Sequence, residues 1–233
     1  MGNNIILGAG LLGSEIINQT GWDYLERKKD NFDFCNIQTY QDKLKNYDTI
    51  INCVGHCDTY STDKDKHRMI NYESVVQLSD FCENSGKKLI HFSTSYVYEY
   101  TKSNASEDDM PLISRNWYSY YKLLSDEYIM LKNKNHLIIR TCFKPKPFPY
   151  QYAWIDHFGN FDYVDIISET IIKLIKLNAV GLYNVGTEMK TMYELAKITK
   201  PDVKQSISPV YVPKDTTMNL NKQYLFLKNN ERI

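Results

Sequence analysis

The sequence lacks the features of a membrane, secreted or nucleic-acid-binding protein. No apolar run approaches the length needed to span a bilayer, and the first residues do not combine a basic segment with an apolar stretch. The 28 basic and 28 acidic residues cancel, so no excess charge is available for a phosphate backbone or an anionic membrane surface. We therefore expect a cytoplasmic protein that binds neither nucleic acid nor membrane.

The five cysteines do not form a disulfide or metal-binding pattern. They are odd in number and scattered along the chain, which is typical of reduced thiols in the cytosol. Cys53 and Cys57 are close neighbours with His56 between them, but a metal site needs more converging ligands, and Cys53 lies in a predicted buried strand. Core packing is the favoured interpretation of this pair, and no metal site is predicted.

The chain has no internal repeat and no low-complexity linker, and its 233 residues suffice for one α/β core with a small appended lobe. Short apolar runs alternate with amphipathic runs, which predicts a parallel sheet covered by helices on both faces. The predicted strands are 4–7, 23–25, 48–54, 88–92 and 136–140. The predicted helices are 12–19, 63–84 and 117–132, the last with Ser125, Asp126 and Glu127 on a polar face.

A glycine-rich turn follows the first predicted strand. In Gly8-x-Gly10-x-x-Gly13 the first glycine permits a tight turn, the second lets a pyrophosphate approach the backbone, and the third packs helix against strand. The start of the next helix, at Leu11 and Leu12, would then face the phosphates. Because the motif stands at the first strand of an α/β pattern, it predicts a doubly wound (Rossmann) parallel sheet that binds a dinucleotide.

The alternating pattern ends after Arg140. Residues 144–149 contain three prolines and cannot continue a strand or a helix. Beyond them we predict a helix over 165–176, a strand over 181–186 and a helix capped by Thr191. We therefore predict a dinucleotide-binding domain over 1–143 and a small C-terminal substrate lobe over 144–233, with residues 161–186 returning to the first domain. Residues 144–156 should lie over the carboxyl ends of the strands, where ligands bind in such sheets.

Cofactor preference depends on the residues that follow the second strand. Glu26 stands where a carboxylate would bind a ribose 2′-hydroxyl, whereas Arg27 and Lys28, with Lys29 beside them, can neutralise a 2′-phosphate. The cations favour NADP(H) more strongly than Glu26 favours NAD(H), and a solvated charged turn is the competing interpretation. Two further residues, which precede the next helix and could flank the adenine, are Asp33 and Phe34.

A tyrosine and a lysine four residues apart share one face of the helix predicted over 117–132. Tyr118 and Thr94 can both hydrogen-bond a substrate carbonyl, and Tyr118 can protonate the developing alkoxide as hydride arrives. A cation at Lys122 favours the phenolate and can also hold the nicotinamide ribose. These groups predict a nicotinamide-dependent carbonyl reductase, against the competing interpretation that the two side chains share a face by accident.

With these motifs the chain resembles the extended short-chain dehydrogenase/reductases, and among them the dTDP-4-dehydrorhamnose reductase-like proteins, over nearly its whole length. The motifs that carry the resemblance are the glycine fingerprint, Asp48-x-Ile-Ile-Asn52-Cys53-Val54-Gly55 on the fourth strand, Asn71, Ser93-Thr94-Ser95-Tyr96-Val97-Tyr98, Tyr118-x-x-x-Lys122, Arg140-Thr141, Gly181-x-Tyr-Asn-Val-Gly186 and Thr216-Thr-Met-Asn219. The resemblance implies that Thr94 is the catalytic hydroxyl, Tyr118 the acid and Lys122 its helper.

The same resemblance implies further contacts. The implied cofactor-binding residues, besides those above, are Cys53, Val54, Gly55 and Asn71. The implied substrate-binding residues are Ser95, Tyr96, Lys144 and Trp154.

The chain also departs from the family pattern. Ser95 stands where rhamnose reductases typically have Asp, and the segment between Arg140 and Trp154 is shortened. Related 4,6-dehydratases use an Asp-Glu pair directly after the threonine, and Ser95 and Tyr96 cannot perform that acid/base work. Dehydration is therefore disfavoured, and reduction or epimerisation at a sugar carbon remains.

The sequence predicts an NAD(P)H-dependent reductase of a nucleotide-linked 4-keto-6-deoxy sugar, with NADP(H) preferred. Two alternatives stay open. One is a nucleotide-sugar 4-epimerase that retains NAD, and the other is a regulatory subunit that binds a dinucleotide and a partner without catalysis. Assembly as a homodimer is also left open.

Overall fold

The structure, a computed structural model, describes residues 2–112 and 115–230. The chain divides into two compact units. The first comprises Met1–Ser93, Ser114–Ile139 and Asn178–Leu182, and the second comprises Thr94–Ile113, Arg140–Leu177 and Tyr183–Ile233. The predicted division into 1–143 and 144–233, with 161–186 returning to the first domain, stays a prediction.

Thirteen short strands are present in the described residues. In chain order they are β1 (Asn4–Leu7), β2 (Asp23–Leu25), β3 (Thr49–Asn52), β4 (Lys88–Thr94), β5 (His136–Thr141), β6 (Phe143–Lys144), β7 (Tyr152–Trp154), β8 (Phe158–Gly159), β9 (Asp162–Tyr163), β10 (Gly181–Asn184), β11 (Lys190–Thr191), β12 (Lys204–Ser206) and β13 (Asp215–Thr216).

The central feature is a parallel sheet of six strands in the order β10-β5-β4-β3-β1-β2. The register brings Leu7 level with Leu25 on one side and with Asn52 on the other, and Asn52 is level with His91. The apolar side chains of these strands, Ile5, Ile6 and Leu7 on β1 and Ile50 and Ile51 on β3, are fully buried, as burial under two helix layers requires. The predicted α/β fold with a parallel sheet is therefore confirmed.

Nine α-helices accompany the strands in the described residues. They are α1 (Leu11–Thr20), α2 (Arg27–Asp30), α3 (Gln41–Leu44), α4 (Lys64–Arg68), α5 (Ser74–Asn84), α6 (Trp117–Lys132), α7 (Val164–Lys176), α8 (Met192–Thr199) and α9 (Asn221–Asn230). None of the helices in 2–112 and 115–230 is both long and apolar enough to cross a membrane.

The helix predicted over 63–84 runs from Lys64 to Asn84, with a π-helical turn at Met69–Glu73 between α4 and α5. One local expectation was wrong. The segment placed on a fourth strand is the third strand in chain order, because residues 26–48 form helical turns, including a 3-10 helix at Phe34–Tyr40, and no strand.

The second compact unit holds three small sheets in the orders β11-β8-β13, β12-β7 and β6-β9. Its core contains Phe161, Tyr163 and Leu195. The predicted cap of α8 is confirmed, since Thr191 accepts a hydrogen bond from the amide of Glu194, whose carboxylate accepts one in return from the Thr191 amide.

Candidate active site

The glycine turn between β1 and α1 requires glycine at two positions for steric reasons. Gly8 has φ +92°, in the region that favours glycine, and a Cβ there would lie 2.8 Å from a methyl of Val54. A Cβ on Gly13 would lie 2.0 Å from the carbonyl oxygen of Gly8. A Cβ on Gly10 would meet nothing within 4 Å, so open space borders the turn there.

The start of α1 adds hydrogen-bond donors to this open space. The first intrahelical bond joins the Ser14 amide to the Gly10 carbonyl at 2.8 Å, so the amides of Leu11, Leu12 and Gly13 have no acceptor within the helix. Such amides, together with the positive end of the helix dipole, favour an anion. The turn therefore fits a dinucleotide pyrophosphate.

The charged residues after β2 differ in their surroundings. Glu26 is half-buried at the start of α2, and Arg27 and Lys28 are exposed. The ammonium of Lys29 instead lies over the ring of Tyr24, 4.7 Å from its centroid. Of the three predicted phosphate-binding cations, Lys29 is thus engaged by a side chain of the preceding strand, β2.

Asp33 and Phe34, predicted to flank an adenine, both have local structural roles. The carboxylate of Asp33 accepts a hydrogen bond from the Cys35 amide at 3.0 Å and so caps the 3-10 helix. Phe34 is only 4% exposed and packs in the core with Ile37 and Leu44. Little of the Phe34 ring is left for a ligand.

Helix α6 buries the predicted helper lysine. Its start is capped by Asn116, whose side chain accepts a hydrogen bond from the Ser119 amide at 2.8 Å. The side chain of Lys122 is 4% exposed, and its Nζ donates to the carbonyl of Phe92 on β4 at 2.9 Å. Tyr118, one turn earlier on α6, is half-buried, and its ring lies edge-on to that of His67 with centroids 6.2 Å apart.

The surroundings of Lys122 modify its charge. Burial lowers the pKa of Lys122, and nearby Cys57, Asp126 and Cys53 act in the opposite direction. Burial, and then the charge on Lys122, holds the pKa of His91 well below its ordinary value. His91 is therefore neutral, and the cationic character of this pocket resides on Lys122.

Asn71, in the π-helical turn, holds the loop that follows β3. Its amide side chain donates to the carbonyl of His56 at 3.0 Å and accepts from the His56 amide at 2.8 Å. The same Nδ2 lies 3.1 Å from Nδ1 of His67. The backbone carbonyl of Asn71 accepts a hydrogen bond from the hydroxyl of Ser125 on α6.

This loop brings several predicted cofactor residues together. A Cβ on Gly55 would lie 3.4 Å from Nζ of Lys122 and 3.5 Å from Oδ1 of Asn71, and a Cβ on Gly13 would lie 3.2 Å from Cβ of Cys53. The glycine turn, the loop after β3, Asn71 and Lys122 thus form one continuous site in the first compact unit.

Sequence reasoning missed two groups of buried polar residues in this unit. Asn52 accepts a hydrogen bond from the Val54 amide at 3.1 Å, and its Nδ2 lies 3.3 Å from Nδ1 of His91. The prediction that Ser125 and Asp126 lie on a polar surface was wrong, since both are fully buried. The spacing of Asp126, four residues after Lys122, was the available signal.

The remaining predicted residues belong to the second compact unit. The hydroxyl of Thr94 accepts a hydrogen bond from the Tyr96 amide at 3.2 Å, and Ser95 and Tyr96 are buried. Trp154 is half-buried on β7. The approach of Thr94 to the Tyr118 hydroxyl, and the position of 144–156 over the sheet, stay predictions.

One residue that the sequence did not single out links the predicted substrate contacts. The ring of His157 lies 6.0 Å from that of Tyr96 and 5.7 Å from that of Trp154, centroid to centroid. Burial lowers the pKa of His157 to about 4, and the nearby charge of Lys144 adds to the effect. Tyr96, Trp154 and Lys144 thus surround one neutral buried imidazole.

Known proteins share both sequence and fold with this chain. Residues 2–143 match the family model described as RmlD substrate binding domain. The spore coat polysaccharide biosynthesis protein SpsK of Bacillus subtilis (strain 168) is 25% identical over 178 residues, which cover 73% of this chain. The aligned region spans only 58% of the length of SpsK.

Solved structures reproduce the fold over nearly all of the chain. The dTDP-4-dehydrorhamnose reductase of Bacillus anthracis str. Ames, in complex with NADP, is 20% identical with a TM-score of 0.80, covering 100% of this chain and 97% of its own. MoeE5, in complex with UDP-glucose and NAD, is 15% identical with a TM-score of 0.78, covering 97% of this chain and 92% of its own. At these identities the likeness establishes the fold alone.

Proposed function

Because the chain belongs to the RmlD substrate binding domain family, we propose that it is a nicotinamide-dependent reductase of a nucleotide-linked 4-keto-6-deoxy sugar, similar to dTDP-4-dehydrorhamnose reductase. The observation that carries this proposal is the buried Lys122, placed one helical turn after Tyr118 and beside the loop that follows β3. Burying an ammonium is costly unless a partner or a ligand compensates it. Lys122 lies beside Gly55, in the loop whose Cys53 and Val54 pack on the glycine turn that fits a pyrophosphate.

The proposed cofactor is NADP(H), with NAD(H) as the alternative. The amides of Leu11, Leu12 and Gly13 would hold the pyrophosphate. Arg27 and Lys28, both exposed after β2, would neutralise a 2′-phosphate. The bound dinucleotide would supply the hydride that reduces the sugar ketone.

The protein would supply the proton. Tyr118 would donate to the ketone oxygen as it becomes an alkoxide, and the hydroxyl of Thr94 would donate a second hydrogen bond to the same oxygen. A lysine ammonium has three donors, and the bond to the Phe92 carbonyl uses one of them. The others can hold the ribose, while the positive charge favours the phenolate of Tyr118.

A second candidate is a nucleotide-sugar 4-epimerase that retains NAD. It is favoured by the fold shared with MoeE5, which was solved with UDP-glucose and NAD, and by the half-buried Glu26 after β2. Such an enzyme would use the same Thr94, Tyr118 and Lys122, and would differ in never releasing its cofactor.

The decisive experiment incubates the protein with NADPH and a panel of nucleotide-linked 4-keto sugars while the absorbance of the reduced cofactor is followed. We expect one sugar to consume NADPH, and we expect Tyr118→Phe to lower that turnover by about 10²- to 10⁴-fold with cofactor affinity nearly intact. Tyr120→Phe is the matched control, because its ring packs on Trp117 and Tyr121 instead.

Other outcomes separate the alternatives. Retained NAD with interconversion of a nucleotide sugar would indicate the epimerase. Tight dinucleotide binding with no turnover on any sugar would indicate a regulatory subunit. Residual activity of Tyr118→Phe within tenfold of the wild type would mean that this tyrosine is not the acid.

A further inference from the structure

Two buried polar side chains join α6 to the end of β4. Asp126 is fully buried and Ser93 is 6% exposed, and the Ser93 hydroxyl donates to Oδ2 of Asp126 at 2.8 Å. Asp126 follows Lys122 by one helical turn, so both side chains project from the same face of α6. Lys122 donates to the carbonyl of Phe92, the residue directly before Ser93. Successive residues of β4 therefore hold successive turns of α6.

We propose that Asp126 is a positioning residue for the cofactor site: its carboxylate keeps Lys122 protonated, and its bond to Ser93 sets the register of α6 on β4. This role presupposes the proposed function, because it concerns the lysine that would hold the nicotinamide ribose. Asp126 itself need touch neither cofactor nor substrate.

The charge balance around Lys122 supports this role. Four titratable groups act on it from the elements packed around it: Cys53 after β3, Cys57 in the following loop, His91 on β4 and Asp126 on α6. Burial raises the pKa of the Cys53 thiol and lowers the pKa of His91, so both are neutral at physiological pH. Asp126 is the one carboxyl group among these four, and it lies one helical turn from Lys122 on the same face of α6.

In this proposal the Lys122 ammonium and the Ser93 hydroxyl together compensate the buried carboxylate of Asp126. A buried carboxylate is stable only when donors or cations compensate its lost hydration. Ser93 supplies a donor from the strand whose last residue is Thr94, the predicted catalytic hydroxyl. Loss of this bond would loosen the register between α6 and β4 without removing the charge.

The test measures the Kd of NADPH against pH by calorimetry for four variants. Asp126→Asn keeps an acceptor for Ser93 but removes the charge, so the alkaline pH at which affinity falls should move down by about one to three pH units. Asp126→Glu should restore most of that shift. Ser93→Ala keeps the charge, so it should weaken NADPH binding several-fold at every pH with no shift. Tyr128→Phe removes the bond from α6 to Asp80, 2.7 Å long in the wild type, and should change neither quantity.

Three results would overturn the proposal. One is an Asp126→Asn protein that melts like the wild type and keeps the wild-type pH dependence. Another is a shift that Asp126→Glu does not reverse. If Asp126→Asn does not fold, the Ser93→Ala variant tests the proposal instead. The third contradicting result is an effect of Ser93→Ala on NADPH affinity no larger than that of Tyr128→Phe, which would show that the Ser93–Asp126 pair is an ordinary helix contact. Failure of the wild type to bind any dinucleotide would instead refute the proposed function.

Discussion

The two ends of β4 each border a buried lysine, and the two lysines are compensated differently. Lys88 begins the strand, and its Nζ donates to the side-chain oxygen of Asn178 at 2.6 Å and to the carbonyl of Ala179 at 2.7 Å. Burial lowers the pKa of Lys88 to about 8. At the other end, Lys122 donates to the carbonyl of Phe92 and has a carboxyl group one turn away.

Under the proposed function, Lys88 stabilises the fold and Lys122 binds the cofactor. The ammonium of Lys88 donates two hydrogen bonds to the segment that follows α7, and these bonds hold that segment against the sheet. Lys122 donates one hydrogen bond to a carbonyl and has the Asp126 carboxyl group nearby, so two of its three donors can serve a ligand. The same side chain can therefore serve stability at the amino end of a parallel sheet and binding at its carboxyl end, where ligands bind in doubly wound folds.

The difference between the two lysines is tested most directly by removing each amine in turn. Lys122→Met should lower turnover by at least about 10²-fold and weaken NADPH binding, because it removes both the ribose contact and the charge beside Tyr118. Lys88→Met should leave both quantities within twofold of the wild type. Steady-state kinetics and calorimetry measure the two effects, and similar losses in both variants would show that the ends of the strand are not functionally distinct.

Two glycines near the ends of α1, Gly13 and Gly21, extend the comparison to the backbone. Gly13→Ala places a Cβ 2.0 Å from the Gly8 carbonyl oxygen, so we expect the free energy of unfolding to fall by about 3 kcal/mol and NADPH binding to be lost. Gly21 ends α1 with φ +66° and open space around it, so Gly21→Ala should cost only about 1 kcal/mol. Urea denaturation measures both, and equal costs would mean that the turn adapts to a side chain.

A smaller effect should follow from the exposed cations after β2. Arg27→Glu should lower the preference for NADP over NAD by about tenfold, because it replaces a 2′-phosphate contact with a like charge. The control is Lys29→Glu, since Lys29 is engaged by the ring of Tyr24. Calorimetry with both dinucleotides gives the ratio. Tighter binding of NAD by the wild type would mean that Glu26 governs the preference.

The smallest expected effect is a pH dependence of stability from Lys88. Its folded pKa, about 8, lies below the ordinary value of 10.5, so the unfolded chain binds more protons between these values and stability rises with pH there. We expect the difference between the wild type and Lys88→Met to change by about 1 kcal/mol from pH 8 to pH 9. The exposed Lys28→Met variant should show no such change, and parallel curves for all three proteins would contradict the assignment.

Sequence patterns predicted local features well where one element decides the outcome. Tyr118 and Lys122 share a face because α6 has helical periodicity, and Thr191 caps α8 because its hydroxyl can reach the Glu194 amide. Asp126 shows the limit of such reasoning. A charged residue between polar neighbours reads as surface, but Asp126 is buried here, where it accepts a hydrogen bond from Ser93 on β4.

The surroundings of Phe34 and of residues 94–113 also depend on contacts between distant parts of the chain. An aromatic residue after the second strand could have faced a ligand, but the helical turns over 26–48 place Phe34 in the core with Ile37 and Leu44. The grouping of 94–113 with the later residues depends on contacts such as the hydrogen bond from the Ala105 amide to the Thr217 carbonyl, 3.1 Å long. No periodicity in either segment encodes such a long-range contact.

Local sequence patterns specify the glycine turn, the alternation that builds the parallel sheet and the spacing of Tyr118 from Lys122, because each depends on backbone geometry within a few residues. Contacts between distant segments determine which polar groups are buried together: Asp126 with Ser93, Asn52 with His91, and Asn71 with His56. A buried polar group is stable only when a partner is brought to it, and the partners in these three pairs lie on different strands, helices or loops.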